Sequence, residues 1–190
     1  MTEELAVWRR LVALLPEAEA EEAGECWSIG EQEAALALLV SGLLTHQVRI
    51  GESTRARISV LAEGWGEREA LTPRLLRCPG DGEPSPVRLV EAASDVVRGP
   101  GDGSADDVLV PWIACERCGG VLARKHAREP WGGLSHLARS YVITWPEGGA
   151  VVREFPADAA DAADAAHSAD AAHTAFEALL AVCAESPSGR

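Results

Sequence analysis

The chain has 190 residues, 47% of them hydrophobic and 25% charged, with a formal net charge of −13 at pH 7. That length can bury one proper core or two small ones without staples, and that balance of apolar and charged residues excludes a wholly disordered chain. The acidic balance argues against nucleic acid, whose phosphates reward clustered Lys and Arg, so a macromolecular partner is expected to be a basic protein.

No stretch approaches the about 18 consecutive apolar residues that span a bilayer. The opening Met1-Thr2-Glu3-Glu4-Leu5 carries acids where a signal peptide carries bases, so a cytoplasmic protein with no membrane segment is expected. Cys26, Cys78, Cys115, Cys118 and Cys183 are odd in number and lack the regular spacing of a disulfide framework, which predicts reduced thiols.

In chain order, Leu5, Trp8, Leu11, Val12 and Leu15 recur on one helix face, with Thr2 placed to cap and Pro16 to stop. The pattern Ser28-Ile29-Gly30-Glu31 resembles a capping box and predicts the start of a second helix carrying Leu36, Leu39, Val40, Leu43 and Leu44 inward. A third helix starts near Ser53, buries Ile58, Leu61, Ala62 and Trp65, and stops at Gly66. A shorter fourth is expected over 68–78, weakened by Pro73. The Gly- and Pro-rich stretch 79–86 cannot continue an element and reads as a linker.

Beyond it the period changes to that of strands. Strands are expected at 87–91, 95–98, 108–114, 121–126, 140–145 and 150–155, with a loop over 99–107. Pro111 removes a ladder donor and predicts an edge strand or a bulge, and Pro146-Glu147-Gly148-Gly149 predicts a hairpin turn. The Asp-Ala-Ala repeats of 157–172 have little to bury and read as an acidic linker, ahead of a docking helix at 173–185 carrying Phe176, Leu179, Leu180 and Cys183. The expected fold is α+β: an N-terminal antiparallel helical bundle over 1–78, a small antiparallel sheet over 87–156 and a C-terminal helix.

The sharpest local pattern is Cys115-Glu116-Arg117-Cys118-Gly119-Gly120, a turn resembling one knuckle of a zinc ribbon. A tetrahedral ion needs two more ligands, for which His126 and His136 are the nearest in sequence and Cys78 a distant reserve. An ordinary hairpin with idle cysteines and a redox pair are the two other readings of the same turn. No G-x-S-x-G, H-E-x-x-H or G-x-x-x-x-G-K stretch is present, so a non-enzymatic protein is expected. His46 ends a periodic helix and suits the negative end of its dipole.

The run holding Glu17, Glu19, Glu21, Glu22 and Glu25 concentrates acid between the first two predicted helices. Such a run is either a solvated surface or an electrostatic landing patch for a basic partner. Five of the six tryptophans lie in periodic segments and read as core, whereas Trp131, in a Gly- and Pro-rich loop, reads as an exposed anchor.

The segment from Cys26-Trp27-Ser28-Ile29-Gly30-Glu31-Gln32-Glu33-Ala34-Ala35-Leu36 through Leu43-Leu44, Val48-Arg49-Ile50 and Glu63-Gly64-Trp65-Gly66 resembles the helical module of Maf-type bacterial immunity proteins. In that pattern a "GE-x-x-x-AL-x-x-L" helix precedes a "V-P-I" loop, and here Arg49 stands in place of the proline. The resemblance covers Gly24 to Gly66. It implies a protein that neutralises a basic toxin by covering its active surface with acids, and it adds Glu31, Glu33 and Glu52 as expected partner contacts. Two expectations result: an immunity-like antagonist of a basic toxin, or a zinc-binding adaptor built on the cysteine turn.

Overall fold

A computed structural model describes residues 3–90, 107–145, 151–157 and 165–185. Thr2, the strand expected at 95–98, most of the loop 99–107 and the turn 146–149 lie outside them. The chain is α+β and divides into two units, Met1–Pro84 and Ser85–Arg190.

The first unit is built from α1 (Glu3–Val12), α2 (Glu17–Ser28), α3 (Gln32–Thr45), α4 (Glu52–Gly64) and α5 (Arg68–Leu75). α1 and α3 to α5 answer to the expected helices, but α2 is additional: the acidic run is itself a helix rather than a connection. Its hidden apolar seam is Ala20, Ala23 and Trp27, at i, i+3 and i+7, with Ala23 and Trp27 buried. Ser28 therefore ends a helix instead of capping one, and its hydroxyl donates back to the Glu25 carbonyl at 2.8 Å. Gly30 takes φ +90°, a left-handed conformation that costs a residue without Cβ little, and Glu31 N–H then closes on the Cys26 carbonyl at 2.9 Å.

The core of this unit gathers Trp8, Leu11, Trp27, Leu36, Leu39, Leu43, Ile58 and Leu75. Trp8 and Trp27 stack with centroids 4.2 Å apart, and Trp65 meets Trp27 edge-on at 6.3 Å. Each fully buried large side chain here contributes on the order of 1.5–3 kcal/mol. A buried pair, Arg68 Nε to Glu63 Oε2 at 3.1 Å, ties the end of α4 to the start of α5. The Gly- and Pro-rich stretch is anchored at its start, because Ile50 N–H donates to the Pro79 carbonyl at 2.9 Å and Ile50 bridges to Gly80.

The second unit is a five-stranded antiparallel sheet of order β1-β2-β3-β4-β5, made of Val87–Leu89, Asp107–Cys115, Val121–Ala127, Ser140–Thr144 and Val151–Pro156. Pro111 does coincide with a bulge, since the β2–β3 register shifts between Pro111 and Ile113, yet β2 is an interior strand. The missing donor is absorbed by the irregularity. Alternation puts Leu109, Ala123 and Val142 together on one face and Tyr141 and Ile143 on the other, and all five are buried.

α6 (Ala165–Glu185) packs against β2, β3, β4 and β5. It starts eight residues earlier than the expected docking helix at 173, and among its described side chains Ala172, Ala175, Phe176, Leu179 and Cys183 form a buried seam. Alanine is the strongest helix former and lets a helix approach a sheet closely, so an Asp-Ala-Ala tract that looks too poor to bury anything still joins the helix. Among the described residues no helix is long and apolar enough to cross a membrane.

Candidate functional site

Two places carry chemistry, one in each unit. In the helical unit, Glu17, Glu21 and Glu25 follow one another at i, i+4 and i+8 along α2, and Glu22 lies beside them; all four are exposed. Exposed Glu31 and Glu33 continue the acid into the first turn of α3. None of these six makes an ion pair among the described residues. Glu19 and Glu52 differ: Glu19 Oε1 lies 2.7 Å from His46 Nε2, and Glu52 pairs with Arg55 on the next turn of α4. His46 accordingly serves as the cap of α3 and as a tie to α2.

Between the two acidic stretches the α2–α3 turn presents Ile29, 71% exposed. Gly30, Glu31, Gln32, Glu33, Ala34 and Trp65 line a shallow depression beside it. Trp131 is 78% exposed and stands with Leu134 and Leu137 in the β3–β4 loop of the other unit. That loop is closed by Glu129 N–H to the Gly133 carbonyl at 2.8 Å.

In the sheet unit, Cys115 ends β2 and Cys118 sits on the turn that follows, held by Cys115 N–H to the Gly120 carbonyl at 2.8 Å and Gly119 N–H to the Cys115 carbonyl at 3.0 Å. The third sulfur comes from α6. The structure joins Cys115 and Cys183 as a disulfide with Cα atoms 6.7 Å apart, and Cys118 Sγ lies 3.1 Å from Cys183 Sγ. All three sulfurs fall within 4.8 Å of one another. Cys115 and Cys183 are buried and Cys118 is half-buried.

His126 and His136 do not join this group. β3 runs away from the turn, so roughly 17 Å of strand separate Val121 from His126. His126 Nδ1 instead donates to the Ser135 carbonyl at 2.8 Å, and His136 is exposed in the β3–β4 loop. The reserve ligand Cys78 lies in the helical unit, where burial pushes its thiol pKa up against the lowering pull of Arg55 and Arg74. Sequence spacing pointed to the nearest histidines because it ranks ligands by separation along the chain. Cys183 is 65 residues from Cys118, and the only hint of it was its place on the buried face of a helix.

No protein-family model, curated protein or solved structure matches the chain.

Proposed function

We propose that this chain is a non-enzymatic binding protein whose α2–α3 face docks a basic protein, in the manner of an immunity protein that covers a toxin domain. The observation that carries the reading is the set of six exposed glutamates without ion pairs among the described residues, Glu17, Glu21, Glu22, Glu25, Glu31 and Glu33, flanking the protruding Ile29. Clustered carboxylates speed encounter with a cationic surface and penalise wrong partners, while an apolar tip at their centre supplies area that water gives up on contact. The likeness of Gly24 to Gly66 to the Maf-type helical module supports the choice of a toxin as that partner. Placing the acids on a helix holds them in a fixed pattern, which a flexible acidic tail would not do.

The test identifies the gene beside this one and, where it encodes a basic toxin domain, titrates that domain with the full chain. Association should weaken at least tenfold between about 50 and 300 mM salt, as expected when opposed charges are screened over a Debye length. Glu25→Lys combined with Glu31→Lys should weaken it further, and Ile29→Ala should weaken it without changing the salt slope. Absence of association, or association indifferent to salt and to the charge reversals, refutes the reading.

A further inference from the structure

We infer that Cys115, Cys118 and Cys183 form a thiolate site for a thiophilic divalent cation, zinc being the natural occupant, with a fourth position open to solvent. This site lies in the sheet unit and does not depend on the docking face of the helical unit. Four observations lead to it.

The three sulfurs converge from two elements far apart in sequence, the β2–β3 turn and α6. A zinc–sulfur bond of about 2.3 Å in a tetrahedron puts sulfurs about 3.8 Å apart, below the 4.8 Å that bounds the three separations here, so once the disulfide is reduced Cys183 need only draw back slightly from its two neighbours to admit an ion. A disulfide uses two of them and leaves the third, Cys118, 3.1 Å from a bonded sulfur, close enough for thiolate attack to exchange the pairing. One cation engages all three at once.

The turn is also shaped around the sulfurs. A Cβ on Gly120 would come within 3.4 Å of Cys118 Sγ, 3.2 Å of the Trp145 ring and 3.6 Å of Leu179. Such a Cβ would require the indole to give by a few tenths of an ångström and would be in ordinary contact with the other two, so the turn, the indole and α6 pack closely beside the cysteines. The burial is graded as an exchangeable site requires: Cys115 and Cys183 are 2% and 1% exposed, whereas Cys118 is half-buried and marks the side that solvent reaches. Among the described residues no further His, Cys, Asp or Glu reaches the group, so water or an incoming ligand takes the fourth place.

The chemistry balances without an external oxidant. Three thiols bind M2+, lose three protons and give a tris-thiolate complex of charge −1. From the disulfide form, a dithiol reductant first delivers two electrons and two protons to Cys115 and Cys183 and is itself oxidised to a disulfide. Metal binding then clamps α6 to the β2–β3 turn, so occupancy should report on the docking of that helix.

The experiment takes the full chain, reduced with a dithiol that is then removed without air, and titrates it with Co2+ and Zn2+. Expected are one equivalent bound per chain, intense sulfur-to-cobalt charge-transfer bands lost on zinc addition, and about three protons released per ion near neutral pH. Cys118→Ser, which alters the least buried ligand, should abolish stoichiometric binding while leaving the circular dichroism spectrum intact, and Cys183→Ser should do the same if it folds. His136→Ala should bind a full equivalent. The proposal is overturned if the reduced chain retains less than about one tenth of an equivalent with zinc available. It is equally overturned if the cobalt complex lacks thiolate bands, or if Cys118→Ser binds as the parent does.

Discussion

Lys125 on β3 reaches Asp107 at 3.2 Å and Glu154 at 3.2 Å, and Arg139 adds a second cation 3.7 Å from Asp107. Burial pushes the Lys125 ammonium toward neutrality, but hydrogen bonds and charge from Asp107 and Glu154 outweigh it and hold its pKa above the ordinary value of 10.5. A raised pKa on a cation means stabilisation that is complete below the unfolded value and lost as pH climbs through the folded one. Lys125→Met should therefore lower stability by roughly 1–3 kcal/mol at neutral pH. In denaturant melts the gap between parent and variant should close as the pH passes 10.5. A gap that persists unchanged there would assign the loss to packing of the lysine stem. The strand signal around Lys125 was legible from its neighbours Leu122, Ala123 and Ala127; its partners were not, because Asp107 and Glu154 stand 18 and 29 residues away and meet it only through the strand register.

α2 is stable despite its own charges. Glu17, Glu21 and Glu25 form two like-charge i, i+4 pairs, each unfavourable by about 0.2–0.5 kcal/mol, and Glu25 in the last turn opposes the helix dipole. Trp27 and Ala23, buried against the rest of the unit, outweigh that repulsion. Glu21→Lys converts both like pairs into opposite ones and should stabilise the helical unit by roughly 1 kcal/mol at low salt, seen as a rise of about 4–8 °C in its melting midpoint. The same change should weaken association with the basic partner. Opposite signs for stability and binding would mark Glu21 as a residue kept for docking, whereas a fall in both would make it part of the scaffold. An amphipathic seam of two alanines and one tryptophan is a faint signal beside five glutamates, and for that reason α2 was hidden in the sequence while α3, with five leucines, was plain.

At the scale of the molecule, the two units have separate means of stability. Every residue of the helical core lies between Val7 and Cys78, and the segment through Pro84 ends in the anchored Gly- and Pro-rich stretch. A chain of that size with its own core can fold alone. The fragment 1–84 should accordingly keep its helical circular dichroism and unfold in one cooperative transition, and Leu36→Ala within it should cost about 2–5 kcal/mol, because Leu36 is fully buried. A fragment that melts without cooperativity would show that the helices need the sheet unit.

Apolar periodicity and the Gly-Pro punctuation of this chain settled its class and the change from helices to strands, and marked Pro111 as an edge or a bulge, because those features depend on contacts within a few residues. The acidic character of the helical unit was equally plain from composition. Which acids remain without an ionic partner, that Ile29 protrudes among them, and that Cys183 rather than a histidine joins the cysteine turn were decided by tertiary structure. Helix packing and strand register bring together side chains tens of residues apart, and no local pattern encodes that distance.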